Sequence, residues 1–216
     1  MKPPLGRLHV ITDVSLQDRF SHVDLARLAA AAGADAVQFR EKRAWPTRAL
    51  VETATAMRRA LEGTPVCLVV DDRVDVALAA GARAVHLGRN DLDVATARRV
   101  LGTDALIGGT ANSLEEALSV AVTDVDYLGI GPVFGTRSKA NPAPPLGLAG
   151  LRGIVEAVPK SVIAIGSVTA DRVTALLEAG AHGVAVISAV VCQTDPAAAT
   201  REFREAIDTW LGARVA

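Results

Sequence analysis

Residues 66–88, VCLVVDDRVDVALAAGARAVHLG, hold the repeating unit of this chain. VCLVVD (66–71) is a short apolar run without alternation, the signature of a strand buried on both faces. An Ala/Leu-rich stretch with helical character follows and stops at Gly81, a residue able to take the left-handed conformation that ends helices. AVHLG (84–88) then reads as the next strand. The alternation extends in both directions. Strands are expected at 8–12 (LHVIT), 36–41 (AVQFRE), 105–110 (ALIGGT), 127–133 (YLGIGPV), 161–166 (SVIAIG) and 183–188 (GVAVIS). Between them lie stretches of helical spacing, such as Leu25, Leu28, Ala29 and Ala32 on one face, or Phe203, Ile207, Trp210 and Leu211 near the end. Eight strand–helix units at roughly 27 residues each predict a closed (β/α)8 TIM barrel, a single domain over residues 1–216. A doubly wound open sheet is the rival, and the unbroken run of eight units favours closure.

Local signals agree with these boundaries. Ser113 followed by Glu116 forms a capping-box pattern, and Asp195-Pro196 places a capping carboxylate before a proline suited to the first helical turn. Gly33, Gly102 and Gly180 stand where other helices should stop. The segment 134–147, FGTRSKANPAPPLG, is long for a loop of such a barrel and holds three of the ten prolines, so it reads as a functional loop or lid.

Composition narrows the partners. Half the residues are apolar and 22% are charged, the balance of a globular protein with a substantial core. Aromatic residues make up 3%, and 23 Lys+Arg nearly cancel 24 Asp+Glu for a net charge of -1. Neither an aromatic stacking surface nor a large basic field is present, so nucleic acid and membrane surfaces are not the expected partners. Cys67 and Cys192 cannot build a disulfide framework, and no leader or long apolar run is visible. The expected setting is cytoplasmic, and a homo-oligomer is compatible with the sequence.

A barrel of this kind places its chemistry at the C-terminal strand ends. Strand 1 ends in Thr12-Asp13. Strand 2 carries Gln38, Arg40 and Lys42 at a spacing of two, hence on one side, while Glu41 alternates to the outside. Two cations and an amide on one face of a buried strand call for an anion, with an internal ion-pair lattice as the plainer reading. Strand 3 ends in Asp71-Asp72, and Asp91 follows strand 4 closely. Carboxylates on neighbouring strands about 4.8 Å apart can converge on Mg²⁺ when phosphate oxygens complete its shell, although each Asp alone reads more simply as a helix cap. Asp93 is the better cap, which frees Asp91. Strand 5 ends at Thr110, and strand 6 runs into Thr136, Arg137, Ser138 and Lys139, a set suited to phosphate. Gly166-Ser167 and Ile187-Ser188 end strands 7 and 8, where barrels commonly bind phosphate through backbone N–H groups. Two anionic subsites are therefore expected, one near Arg40, Lys42 and Lys139 with Mg²⁺, the other near Gly166 and Ser188. His86 sits inside a strand and reads as structural. Acid/base groups are scarce, which suits a reaction in which a metal-bound diphosphate leaves.

The segments QFREK (38–42), VVDDRVDVAL (69–78), VHLGRNDL (85–92), GPVFGTRSK (131–139) and AIGSVT (164–169) resemble the thiamine phosphate synthase family, with thiazole tautomerase as its close relative. The likeness runs over essentially the whole chain. It implies a Mg²⁺-dependent transferase that joins hydroxymethylpyrimidine diphosphate to hydroxyethylthiazole phosphate, diphosphate departing before the thiazole nitrogen attacks. Carried over, the segment Gln38, Phe39, Arg40, Glu41 and Lys42 would serve the pyrimidine diphosphate with Asp71, Thr110 and Lys139. Arg40, Lys42 and Lys139 would be the catalytic cations. Asp72 and Asp91 would bind Mg²⁺. Thr136, Arg137 and Ser138 would meet the thiazole phosphate, closed by Gly166, Ile187 and Ser188. Three positions depart from the family pattern: Asp71 stands for the usual Asn, Ser167 for Gly, and Thr110 with Asn112 for Ser and His. Asn112 cannot serve as the titrating group expected of the tautomerase branch. The tautomerase and a non-catalytic barrel that binds phosphorylated ligands are the alternatives weighed.

Overall fold

Strands that are apolar on both faces must be covered on both, and closing the sheet on itself does this with one ring of helices outside and one plug of side chains within. The computed structural model describes residues 2–136 and 143–214. Its eight strands are β1 (Leu8–Thr12), β2 (Ala36–Phe39), β3 (Cys67–Asp71), β4 (Ala84–Leu87), β5 (Leu106–Ala111), β6 (Tyr127–Ile130), β7 (Ser161–Ile165) and β8 (Gly183–Val186). They form a closed parallel barrel in sequence order, sealed by β1 pairing with β8 at Val10 and Val186. The open-sheet alternative is therefore excluded. The helices between them are α1 (His22–Ala31), α2 (Thr47–Ala60), α3 (Val74–Ala80), α4 (Val94–Leu101), α5 (Leu114–Ala121), α6 (Gly147–Ala157) and α7 (Val173–Glu178). A four-residue helix, α8 (Ser188–Val191), precedes the closing α9 (Pro196–Ala213), so β8 stops two residues short of Ser188, at Val186.

Two apolar layers follow from the pleat. Val10, Val37, Val70, Val85, Ile107 and Leu128 face the helices, whereas Ile11, Val69, Leu106, Tyr127 and Ile163 fill the barrel. Tyr127 and His86 occupy space left by glycine. A Cβ at Gly108 would overlap both rings, and one at Gly129 would come within 2.7 Å of His86 Cε1.

Caps form largely as the residues dictate. Asp195 accepts from Ala198 N–H with Pro196 in the first turn, and Asp93 accepts from Thr96 N–H. Ser113 accepts from Glu116 N–H, but the Glu116 carboxylate reaches Asn112 N–H at 2.7 Å instead of Ser113, so that box is only half formed. A complete box stands at α1 between Ser21 and Asp24. Among the described residues no helix is long and apolar enough to cross a membrane.

Candidate active site

A cavity of about 850 Å³ opens at the C-terminal ends of the strands. Its size suits a pair of small ligands. Gln38, Arg40, Lys42, Asp71, Asp72, Asp91, Thr110, Thr136, Gly166, Ile187 and Ser188 all line it. Phe39 and Glu41 do not. Alternation continues past the end of β2, turning Phe39 into the helix layer against the His22 ring, 4.7 Å away edge-on. Glu41 follows it outward and is held by Arg43 and, at 3.3 Å, by His22 Nε2. Neither side chain lines the cavity, and the expectation that Glu41 alternates outward agrees with the structure. Arg137, Ser138 and Lys139 lie outside the described residues.

On one wall the cations meet carboxylates of the chain itself. Arg40 pairs with Asp13, whose side chain is 2% exposed and also accepts from Ser15 N–H at 3.0 Å. Lys42 pairs with Asp71 at 2.9 Å and with Asp72. Gln38 Nε2 donates to Asp71 Oδ1 at 2.5 Å. The two adjacent aspartates separate in acidity. Burial, followed by the charge of Asp72, pushes the Asp71 carboxyl up despite Lys42 and Arg40. Burial also opposes charge on Asp72, but its hydrogen bond and attraction to Lys42 prevail and hold it down. Lys42 is raised: burial works against its charge, and the two aspartates outweigh it. Asp72 itself sits at φ 62°, a left-handed conformation that a non-glycine residue adopts at a cost, which is typical of functional positions.

Asp91 accepts from Gly88 N–H at 2.6 Å and is raised by burial and by its hydrogen bond to Asp72. The Asp72 charge disfavours the charged form of Asp91, a repulsion that a divalent cation between the two carboxylates would offset. Among the described residues no group of three or more His, Cys, Asp or Glu forms a metal cage. Two carboxylates with phosphate oxygens to complete the shell match Mg²⁺ chemistry, so the residues fit that ion.

The floor is a hydrogen-bonded chain. His86 Nε2 meets the Thr110 hydroxyl at 2.8 Å and Nδ1 meets the Tyr127 hydroxyl at 3.1 Å. His9 lies beside the Tyr127 ring, and burial pushes its pKa down to about 4. Ile163, Ile165 and Ile187 complete an apolar bed. The far wall is built from Gly166 and Ser167, both at positive φ (107° and 47°), with Thr169 and Ser188. A Cβ at Gly166 would come within 2.6 Å of the Pro132 backbone, so only glycine lets β7 end this close to β6. Asn112 donates to the Gly131 carbonyl, tying the ends of β5 and β6.

Several lining residues carried no signal in the sequence. Arg172 stands on a single 3-10 turn (Ala170–Arg172), where no periodicity marks its direction. His9 and Tyr127 read only as members of buried strands. Asp13 was visible at a strand end, but its bond to Arg40 spans 27 residues of chain.

Comparison with known proteins agrees with this geometry. The family model described as thiamine monophosphate synthase matches residues 8–190. A thiamine-phosphate synthase of Salinibacter ruber is 50% identical over 205 residues, covering 94% of this chain and 89% of the relative. One of Agrobacterium fabrum is 47% identical over 213 residues, 96% of each chain. The solved structure of a thiamine phosphate pyrophosphorylase from Pyrococcus furiosus superposes with a TM-score of 0.85 at 40% identity, covering 95% of this chain and 96% of the other. With the matched model spanning all eight strands, and these relatives aligned nearly end to end, the chain belongs to the thiamine monophosphate synthase family.

Proposed function

We propose that this protein is a Mg²⁺-dependent transferase that condenses hydroxymethylpyrimidine diphosphate with hydroxyethylthiazole phosphate, giving thiamine phosphate and diphosphate. The observation that carries the reading is that both walls suited to anions, Arg40–Lys42 and Gly166–Ser188, face one cavity over an apolar floor. Gln38, Arg40 and Lys42 bind the diphosphate, and Lys139 adds a further cation from the β6–α6 loop. Arg40 and Lys42 exchange their internal carboxylates for phosphate oxygens, so positive charge is already aimed at the leaving group before it departs. Mg²⁺ bound by Asp72 and Asp91 would neutralise charge that develops on that group. The floor of Ile163, Ile165 and Tyr127 seats the heterocycles, with Thr110 oriented by His86. Gly166, Ile187 and Ser188, with Thr136, Arg137 and Ser138, hold the thiazole phosphate.

Two free cysteines, one buried and one exposed, suit the reducing cytoplasm. Self-association belongs to the same reading. Leu114, Leu118 and Val122 stand exposed along one side of α5, with exposed Val100 on α4 and Leu148 on α6. A monomer at all concentrations in sedimentation velocity would remove that part. The activity is tested by incubating the protein with both phosphorylated halves, with and without Mg²⁺. Thiamine phosphate and diphosphate should appear in equal amounts only with the metal. Their absence at every Mg²⁺ concentration would overturn the reading, and synthesis without metal would overturn its Mg²⁺ dependence.

A further inference from the structure

The cations that line the described cavity are Arg40, Lys42, Arg89 and Arg172. Three of them are already neutralised by the chain: Arg40 by Asp13, Lys42 by Asp71 and Asp72, and Arg89 by Glu116 at 2.6 Å. Arg172 is different. Among the described residues no carboxylate pairs with it. Its guanidinium lies 4.5 Å from the Phe134 ring centroid, and its NH1 donates to the Ser167 carbonyl at 3.1 Å. The ring and the carbonyl fix the plane of the group but do not cancel its charge. One of five guanidinium donors is spent on Ser167, which leaves an edge for a second acceptor.

Its position gives that edge a direction. Arg172 lines the cavity on the wall of Gly166, Ser167 and Thr169, across from Arg40 and Lys42. Without Arg172 the described part of that wall offers only backbone N–H groups and hydroxyls to an anion. We infer that Arg172 is a binding residue for the second, monophosphate-bearing substrate, supplying a side-chain charge to the described part of that wall, and that Phe134 holds its guanidinium in place. The inference rests on the proposed transferase reading and deepens it: the monophosphate and not the diphosphate is the ligand of Arg172.

The test compares Arg172→Ala, Arg172→Lys and Phe134→Leu with the wild type, all as full chains. Steady-state KM is measured for each substrate, and binding of hydroxyethylthiazole phosphate by calorimetry. Arg172→Ala should raise the KM and the dissociation constant for the thiazole phosphate about tenfold or more, the loss expected for one charge-assisted contact. Its KM for the pyrimidine diphosphate should move less than about twofold. Arg172→Lys should recover most of the loss, because it restores charge without the planar fork. Phe134→Leu, which keeps the charge and removes the ring, should fall in between. Equal increases in both KM values, or equal losses in Arg172→Ala and Phe134→Leu, would overturn the inference and make Arg172 a strap for the loop. No change in thiazole phosphate binding would overturn it outright. The calorimetric arm needs no turnover, so a wild type that bound this ligand through Arg172 yet made no thiamine phosphate would leave the inference standing and overturn the transferase reading.

Discussion

At the scale of single residues, the wall of paired charges makes two opposite demands. Asp13 is buried against Arg40, and breaking a buried pair by removing one charge costs about 3 kcal/mol or more, since the other charge stays behind. Asp13→Asn should therefore lower unfolding free energy by about 3 kcal/mol in urea titrations. Inorganic diphosphate should then raise its melting temperature more than it raises that of the wild type, because the anion replaces the missing partner. Equal shifts in the two proteins would show that Arg40 does not meet the diphosphate. Asp71 acts the other way. Its carboxylate accepts from Gln38 and faces the space assigned to the diphosphate, so it adds repulsion there. Asp71→Asn keeps an acceptor for Gln38 and removes the charge. The KM for the pyrimidine diphosphate should drop about three- to tenfold at saturating Mg²⁺, on the order of 1 kcal/mol. An unchanged KM would mean that Lys42 already neutralises Asp71 in the complex.

At the scale of elements, glycines decide how strands carry their side chains. Gly129 in β6 faces the His86 ring on β4, and a methyl group there would sit 2.7 Å from Cε1. Gly129→Ala should push His86 off Thr110 and cost about 1–3 kcal/mol of stability through overpacking. Far-ultraviolet circular dichroism in urea measures the loss, and a stability within error of the wild type would show that the floor adapts freely. The same elements show what the sequence can disclose. All eight strands were legible to within about three residues at each end, because strands buried on both faces read as apolar runs. The alternation of Gln38, Arg40 and Lys42 placed them on the cavity side even though β2 ends at Phe39. Phe39 and Glu41 entered the expected site through the family likeness, and in the structure both side chains lie off the cavity lining. The tie from Asn112 to Gly131 and the stacking of Arg172 on Phe134 join neighbouring strand ends across long stretches of sequence, and nothing in the local pattern announces such contacts.

At the scale of the whole molecule, the barrel interior sets a pH response. His9, 2% exposed, is held neutral by burial down to about pH 4, whereas an unfolded histidine takes up a proton near 6.5. Between those values the unfolded chain binds more protons, so stability rises with pH through the window and is lost as pH falls through it. The full contribution is about 3 kcal/mol. His22, also lowered chiefly by burial, acts with the same sign. Urea midpoints taken from pH 7 down to about 4 should decline, and His9→Gln should flatten part of that decline; parallel curves would place the response elsewhere. The paired charges of the mouth also govern how substrates arrive. Because Arg40, Lys42 and Arg89 each face a carboxylate, Arg172 is the one lining cation among the described residues left to project a field, and a chain of net charge -1 adds almost none. Strongly steered enzymes lose association rate steeply as salt is added. Here kcat/KM for the diphosphate substrate should change only about two- to threefold between low salt and about 0.3 M KCl at fixed Mg²⁺, well short of the tenfold or more seen with steering. Most of the attraction is held inside the cavity, so ligands should find the mouth largely by unguided diffusion and meet its paired charges only after entering.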